Sequence, residues 1–389
     1  MKHTTELAKL KSDINQRFDR LTLSLQSAQR AMGIESEKIA FELTEQSDAR
    51  RTLLRVEKQA IRDKELNKRS HASFVNSIRD MVHKEIRARL IELVKDPDNL
   101  FHDVLAFDHR LPEVLDLLST KACSISKLEP SAANMPWLYD ELIKLINTPK
   151  YRKVDAKGKV VVVESFKVAL SFLGIENLRM LIPSVAFRRC LPQITDPYPE
   201  IKTRLMEASI GTAMSCKKIA QVSDLDEYHG FILGLLHDLG KIAVIRLYFK
   251  LFDAVHKEAT IEAESERKRD EHLALGEITP SDEFLRQLIE EFSYPLSARF
   301  FEIMQFKRLF VSEALNEFAQ NKAVSHMSPY GKLLAQGVAY NRYRTLKLNK
   351  MINMDEAKDF LRQFYFPKGA LSVLKTTDLR ELDVEMDEN

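Results

Sequence analysis

Glycine and proline are scarce in this chain, 11 and 13 of 389 residues. Both residues interrupt regular structure, one through a permissive backbone and the other through a fixed φ and a missing donor. Turns are therefore few and long helices are favoured. Cysteine is scarcer still. Cys123, Cys190 and Cys216 are widely spaced, odd in number and form no C-x-x-C pair. That excludes a disulfide framework or a zinc knuckle and reads as buried or partly buried thiols of a reducing compartment. No apolar run approaches the ~20 residues of a membrane span, and the best candidate, Phe231 to Leu236, stops at a histidine and an aspartate. The N-terminus, MKHTTELAKLKSD, lacks the apolar core of a signal peptide. No membrane role is expected, and the expected location is the cytoplasm. An excess of one charge is also missing. The formal net charge of +2 argues against a chain whose main task is gripping a nucleic-acid backbone.

What is present is helical periodicity. Between residues 5 and 32, Leu7, Ile14, Leu21 and Ala28 form one apolar set and Phe18, Leu25 and Met32 another, a coiled-coil-like seam that Gly33 ends. Further helices are expected over Ser36–Asn67 and His71–Val94, the last stopped by Pro97. Residues 1–96 are thus an N-terminal helical region, either a bundle closing on itself or a seam pairing with a second copy in a homodimer. A linker, 97–110, leads into a body over 111–374 that reads as almost entirely helical. One glycine turn within 153–163 suggests a small hairpin or an extended loop. An acidic tail, 375–389, closes the chain. The fold class is all-α.

Chemistry concentrates in GFILGLLHDLGKIAV, residues 230–244. Adjacent His237 and Asp238 offer a nitrogen and an oxygen to one divalent ion. Hydrolytic metal sites need three or four protein ligands and an open position for water. His229 lies too far up the same helix to share an ion easily, His256 faces a charged surface, and His272 follows a charge run.

The HDLGK signature resembles the HD superfamily of metal-dependent phosphohydrolases. The wider layout resembles the HDOD domain (HD-related output domain) of bacterial signalling proteins. The resemblance rests on LPEV (111–114), LIKLINTP (142–149), SFKVALSFLGIENLRMLI (165–182), FILGLLHDLGKI (231–242) and EEFSYPLSARF (290–300), in that order. It implies a multi-helical HD-like domain. Catalytic relatives carry further histidines and a closing aspartate, and at the corresponding places this chain has Ala208, Ser281 and Gln305, with no acid in the helix 330–349.

The resulting expectation is a non-catalytic regulatory module of bacterial signal transduction, without metal or cofactor, that binds a signalling protein or a small ligand. His237, Asp238 and Lys241 would be a relict motif in which the histidine and aspartate satisfy one another, Gly240 turns the chain and Lys241 offsets the carboxylate. Asn177 and Arg179 would line a groove between two helical halves, with Trp137 in the core or on a contact surface. The alternative is an HD-type phosphohydrolase or phosphodiesterase using His237 and Asp238, helped by His229 or Asp226. A third reading, nucleic-acid binding through residues 50–69 and 341–351, rests on basic residues interleaved with Tyr340 and Tyr343 and is disfavoured.

Overall fold

A computed structural model describes residues 2–33, 55–149, 153–154 and 160–382. The described residues are helical apart from loops and one two-residue antiparallel ladder, which pairs Lys153 with Val161 and Val154 with Val160. The expected hairpin is there, reduced to its smallest form.

The N-terminal seam is two helices, α1 (Lys2–Leu23) and α2 (Leu25–Ala31). Ser24 breaks them with an extended backbone (φ −154°, ψ 123°), and its hydroxyl accepts from the Ser27 N–H as an N-cap. Gly33, at φ 68°, follows α2. The expected interruption between residues 67 and 71 is absent, because α3 (Arg55–Leu93) runs through it for 39 residues. Residues 34–54, which hold most of the expected second helix, lie outside the described residues. Val75, Ile78, Val82, Ile86 and Leu90 form the buried stripe of α3 at helical spacing.

The segment 97–110 is not a free linker. Leu100, Phe101, Leu105 and Phe107 are buried, and a π-helical turn over Leu100–Val104 directs the first two inward. The body then runs through α4 (Leu111–Leu118), α5 (Ile125–Ala133), α6 (Pro136–Ile146), α7 (Phe166–Cys190), α8 (Ile201–Gln221), α9 (Glu227–Leu236) and α10 (Leu239–Ser265). It continues through α11 (Arg269–Gly276), α12 (Asp282–Met304), α13 (Ser312–Ala319), α14 (Pro329–Leu348), α15 (Met354–Arg362) and α16 (Ala370–Thr376). Gly174 (φ 70°, ψ 160°) kinks α7 where two helices were expected to join. Among the described helices α7 alone is long and apolar enough to cross a membrane, and 56% of that window is buried inside the protein. Cys190 and Cys216 are buried and Cys123 partly so, all as free thiols. Pro295 lies inside α12. Residues 383–389 of the acidic tail lie outside the described residues.

Close helix contacts hold the centre together. α8, α9 and α14 meet on one side of the HD motif, and α10 and α12 on the other. Gly240 does not turn the chain. It lies in the first turn of α10, packed on α12, and donates its N–H to Ser297 Oγ at 2.9 Å. A Cβ there would collide with the Ser293 carbonyl oxygen and stand 2.6 Å from the Ser297 nitrogen. Both are backbone atoms, so the helices themselves must part. Gly240→Ala is expected to cost about 3 kcal/mol of stability. Gly276→Ala, with nothing within 4 Å, should stay within about 1 kcal/mol of the parent. Urea denaturation of both variants checks this, and equal midpoints would refute the close packing.

Candidate functional site

The HD pair sits at a helix junction. His237 is the C-cap of α9 and donates its backbone N–H to the Leu233 carbonyl. Asp238 is the N-cap residue of α10, yet its side chain caps no N–H of that helix. It reaches Lys241 instead, whose Nζ lies 3.3 Å from Asp238 Oδ2. The imidazole Nδ1 donates to the Gly234 carbonyl at 2.7 Å. That bond leaves Nε2 as the lone-pair nitrogen, 3.5 Å from Asp238 Oδ2. The expected mutual satisfaction of His237 and Asp238 therefore does not occur. Two acceptors face each other, and each group has its real partner elsewhere.

Two more elements complete the cluster. From α14, Arg342 donates to the Tyr294 hydroxyl of α12 at 2.7 Å. From α1, Asn15 Oδ1 accepts from Arg342 at 2.6 Å, and Asp19 Oδ1 lies 3.2 Å from Lys241 Nζ. The ring of Phe18 lies under both cations, 5.8 Å from Lys241 Nζ and 5.4 Å from the Arg342 guanidinium. The seam of α1 thus faces its own domain, with Ile14, Phe18 and Leu21 buried. Arg17 pairs with Glu356 at 2.9 Å and Arg20 with Glu283 at 3.2 Å, which clamp α1 along its length. A cleft of about 170 Å³ remains beside it, lined in part by Asn15, Asp19, Tyr294 and Arg342. Asp238 Oδ1 and Arg342 Nε are buried without a hydrogen-bond partner.

The electrostatics follow from burial and from these neighbours. Burial disfavours a charged imidazole and, against the pull of Asp238, holds the pKa of His237 below its usual value. Burial also opposes the Asp238 carboxylate, but His237, which is protonated at the acid pH where that carboxyl titrates, together with Lys241 and Arg342, outweighs it and holds the carboxyl at about 2. Lys241 is likewise opposed by burial, which Asp238 and Asp19 overcome, so its pKa is raised. With the histidine neutral, Lys241 and Arg342 are the cations that balance the carboxylate.

A metal does not fit this arrangement. Ala208, on α8, offers a methyl group, and its carbonyl accepts from Asn341. Ser281 and Gln305 are the caps at opposite ends of the 23-residue α12, so counting along the sequence placed neither beside the pair. Ser293 and Tyr294, in the middle of α12, line the cleft in their place. The helix expected to bring a closing aspartate brings Arg342, a cation. Asp226 caps the start of α9 by accepting from the His229 N–H, so both lie about 12 Å of helix or more from His237. Among the described residues no three His, Cys, Asp or Glu side chains are grouped to hold a metal ion.

The other expected site residues lie elsewhere. Arg179 donates to the Leu118 carbonyl at 2.9 Å and the Thr120 carbonyl at 3.1 Å and lines a separate polar cavity of about 540 Å³. Asn177 donates to the Leu173 carbonyl at 2.8 Å, within α7 at its kink. Trp137 belongs to a third place. Its indole N–H donates to Asp108 Oδ2 at 2.8 Å, and Arg189 stacks 4.7 Å from its ring. The three do not form one groove. The basic–aromatic stretch 341–351 does not present its aromatic rings on the surface, since Tyr340, Arg342 and Tyr343 are all buried and only 347–350 are exposed. His256, expected at the surface, bonds the Leu275 carbonyl at 2.8 Å and stacks on Phe252.

Asn15, Phe18, Asp19 and Tyr294 were not expected at the site, and Arg342 was expected on the surface. The one usable signal was that α14, a 20-residue helix without an acid, is apolar around Arg342.

The sequence model of the HDOD domain matches residues 106–278. Among curated proteins none matches this chain. Two solved structures from Shewanella amazonensis SB2B resemble it in shape. One, provisionally described as a phosphohydrolase, is 15% identical with a TM-score of 0.46, covering 74% of this chain and 94% of that one. The other, provisionally described as a metal-dependent phosphohydrolase, is 14% identical with a TM-score of 0.39, covering 75% and 99%. Likeness at that level carries nothing about activity. The order of motifs, the all-helical body and the family match agree: residues 106–278 are an HDOD domain.

Proposed function

We propose that this protein is a non-catalytic regulatory module of bacterial signal transduction, acting in the cytoplasm by binding a signalling protein or a small ligand through its HDOD domain. One observation carries the reading. The positive charge that a metal would bring to Asp238 comes from Lys241 and Arg342, and α1 covers both. An HD pair neutralised from within has no open position for a metal-bound water. Because the seam of α1 is buried in its own domain, a homodimer through residues 1–96 would use the outer side of α3, where Phe74 and Met81 are exposed.

The test is metal content. Protein produced with manganese, iron and zinc present is measured by mass spectrometry per polypeptide, as wild type and as His237→Ala. Near-zero metal in both is the expected result. About one ion per chain, lost in the variant, together with hydrolysis of a phosphodiester, would establish the phosphohydrolase reading instead.

A further inference from the structure

The proposed function leaves the place of a small ligand open, and, resting on that reading, a second cavity on the HDOD domain, outside the HD cleft, is the candidate. It holds about 710 Å³ and lies between α10, the loop after α7 and the π-helical turn at Leu100–Val104. That size is within the range of small-molecule sites. Its floor is apolar, with Pro192, Phe249 and Phe252 buried. Arg246 enters this wall from α10, half-buried. It donates to the Cys190 carbonyl at 3.1 Å and to the Leu105 carbonyl at 3.4 Å, which fixes its guanidinium in place. Among the described residues no carboxylate pairs with it, and burial pulls its pKa down. A guanidinium carries five donors in a planar fork that matches a carboxylate. The exposed residues around the opening have the opposite character, with Asp103, Asp196 and Asp253 against a single Lys250.

We propose that this cavity binds a small zwitterion with an apolar body. Its carboxylate pairs with Arg246, its apolar side chains rest on Phe249 and Phe252, and its ammonium faces the acidic opening. A dipeptide of apolar residues has this layout and this size. A plain organic anion has no group for the aspartates, and a plain amine has none for the arginine.

The probe is the dipeptide leucyl-phenylalanine, titrated into the full chain by calorimetry beside its C-terminal amide and its N-acetyl form. The free dipeptide is expected to bind saturably, the amide at least ten-fold more weakly and the acetylated form several-fold more weakly. Arg246→Gln should abolish the preference for the free carboxylate. Asp253→Asn changes an exposed residue with no side-chain bond, and should reduce the preference for the free ammonium without altering the melting temperature. No saturable binding at millimolar dipeptide would overturn the proposal, and so would equal binding of dipeptide and amide. The comparison among ligands stands even if Arg246→Gln is destabilised by losing its two carbonyl bonds. It is also independent of the metal measurement, because no residue is shared with the HD cleft.

Discussion

Asp238→Ala is expected to cost about 3–5 kcal/mol of folding stability, as removal of one partner from a buried ion pair does. Asp238 and Lys241 are 5% and 2% exposed, so water cannot replace the lost partner. Lys241 and Arg342 would keep only Asp19, a more exposed carboxylate on another element. Chemical denaturation of Asp238→Ala, Lys241→Met and the double variant measures the coupling. The double variant should be more stable than Asp238→Ala alone, because the stranded cation is gone. Strictly additive losses would mean that packing, not charge, sets the cost.

The same cluster fixes how stability responds to pH. The folded pKa of Asp238 is depressed to about 2. Its contribution, about 2 kcal/mol, is complete above the unfolded carboxylate range and disappears as pH falls through the folded value. The pKa of His237 is lowered from 6.5. Protonation is thus easier in the unfolded chain, and stability already declines as pH drops below about 6.5. Lys241 is raised from 10.5. Its contribution holds below that value and is lost as pH rises through the higher folded pKa. A denaturation series from about pH 2 to 8 on wild type and Asp238→Ala should show a flatter limb below about pH 4 in the variant.

Phe18→Ala is the second large effect, with an expected loss of about 3–5 kcal/mol. Phe18 is 3% exposed, fills the space against α8 and α14, and carries the ring beneath two cations. Its neighbours Asn15 and Asp19 supply the acceptors for Arg342 and Lys241. Loosening α1 therefore uncovers the HD motif as well as opening a void. Hydrogen exchange read by mass spectrometry should show faster exchange in α1 and in the first turns of α10, with α5 and α6 unchanged. Acylation of Lys241 should rise in step. Unchanged exchange in α10 would show that α1 rests on the domain without sealing the motif.

How the HD motif is completed shows why the sequence stops where it does. Lys241 lies three residues after Asp238, so one helical turn brings them together and the pairing can be read locally. Asp19 is 222 residues from Lys241, and Asn15 is 327 from Arg342. Periodicity marks Ile14, Phe18 and Leu21 as one apolar face of α1 but does not say what the face meets. A second copy and the chain's own domain satisfy the same pattern. Counting positions along a helix failed for a related reason. Ser281 and Gln305 align with ligands by number, yet α12 runs on through Pro295 and carries its ends away from the pair.

The sequence alone determined the helical class, the kink at Gly174 and the HDOD character of residues 106–278. Each is written in local spacing, in a backbone that only glycine tolerates, or in a motif of a few adjacent residues. Only the tertiary structure decided that α1 covers the motif, that Lys241 and Arg342 are the cations beside Asp238, and that Trp137 lies apart from Arg179 and Asn177. Those facts depend on which faces meet across hundreds of residues, and burial settles that by excluding water from the best-fitting contact.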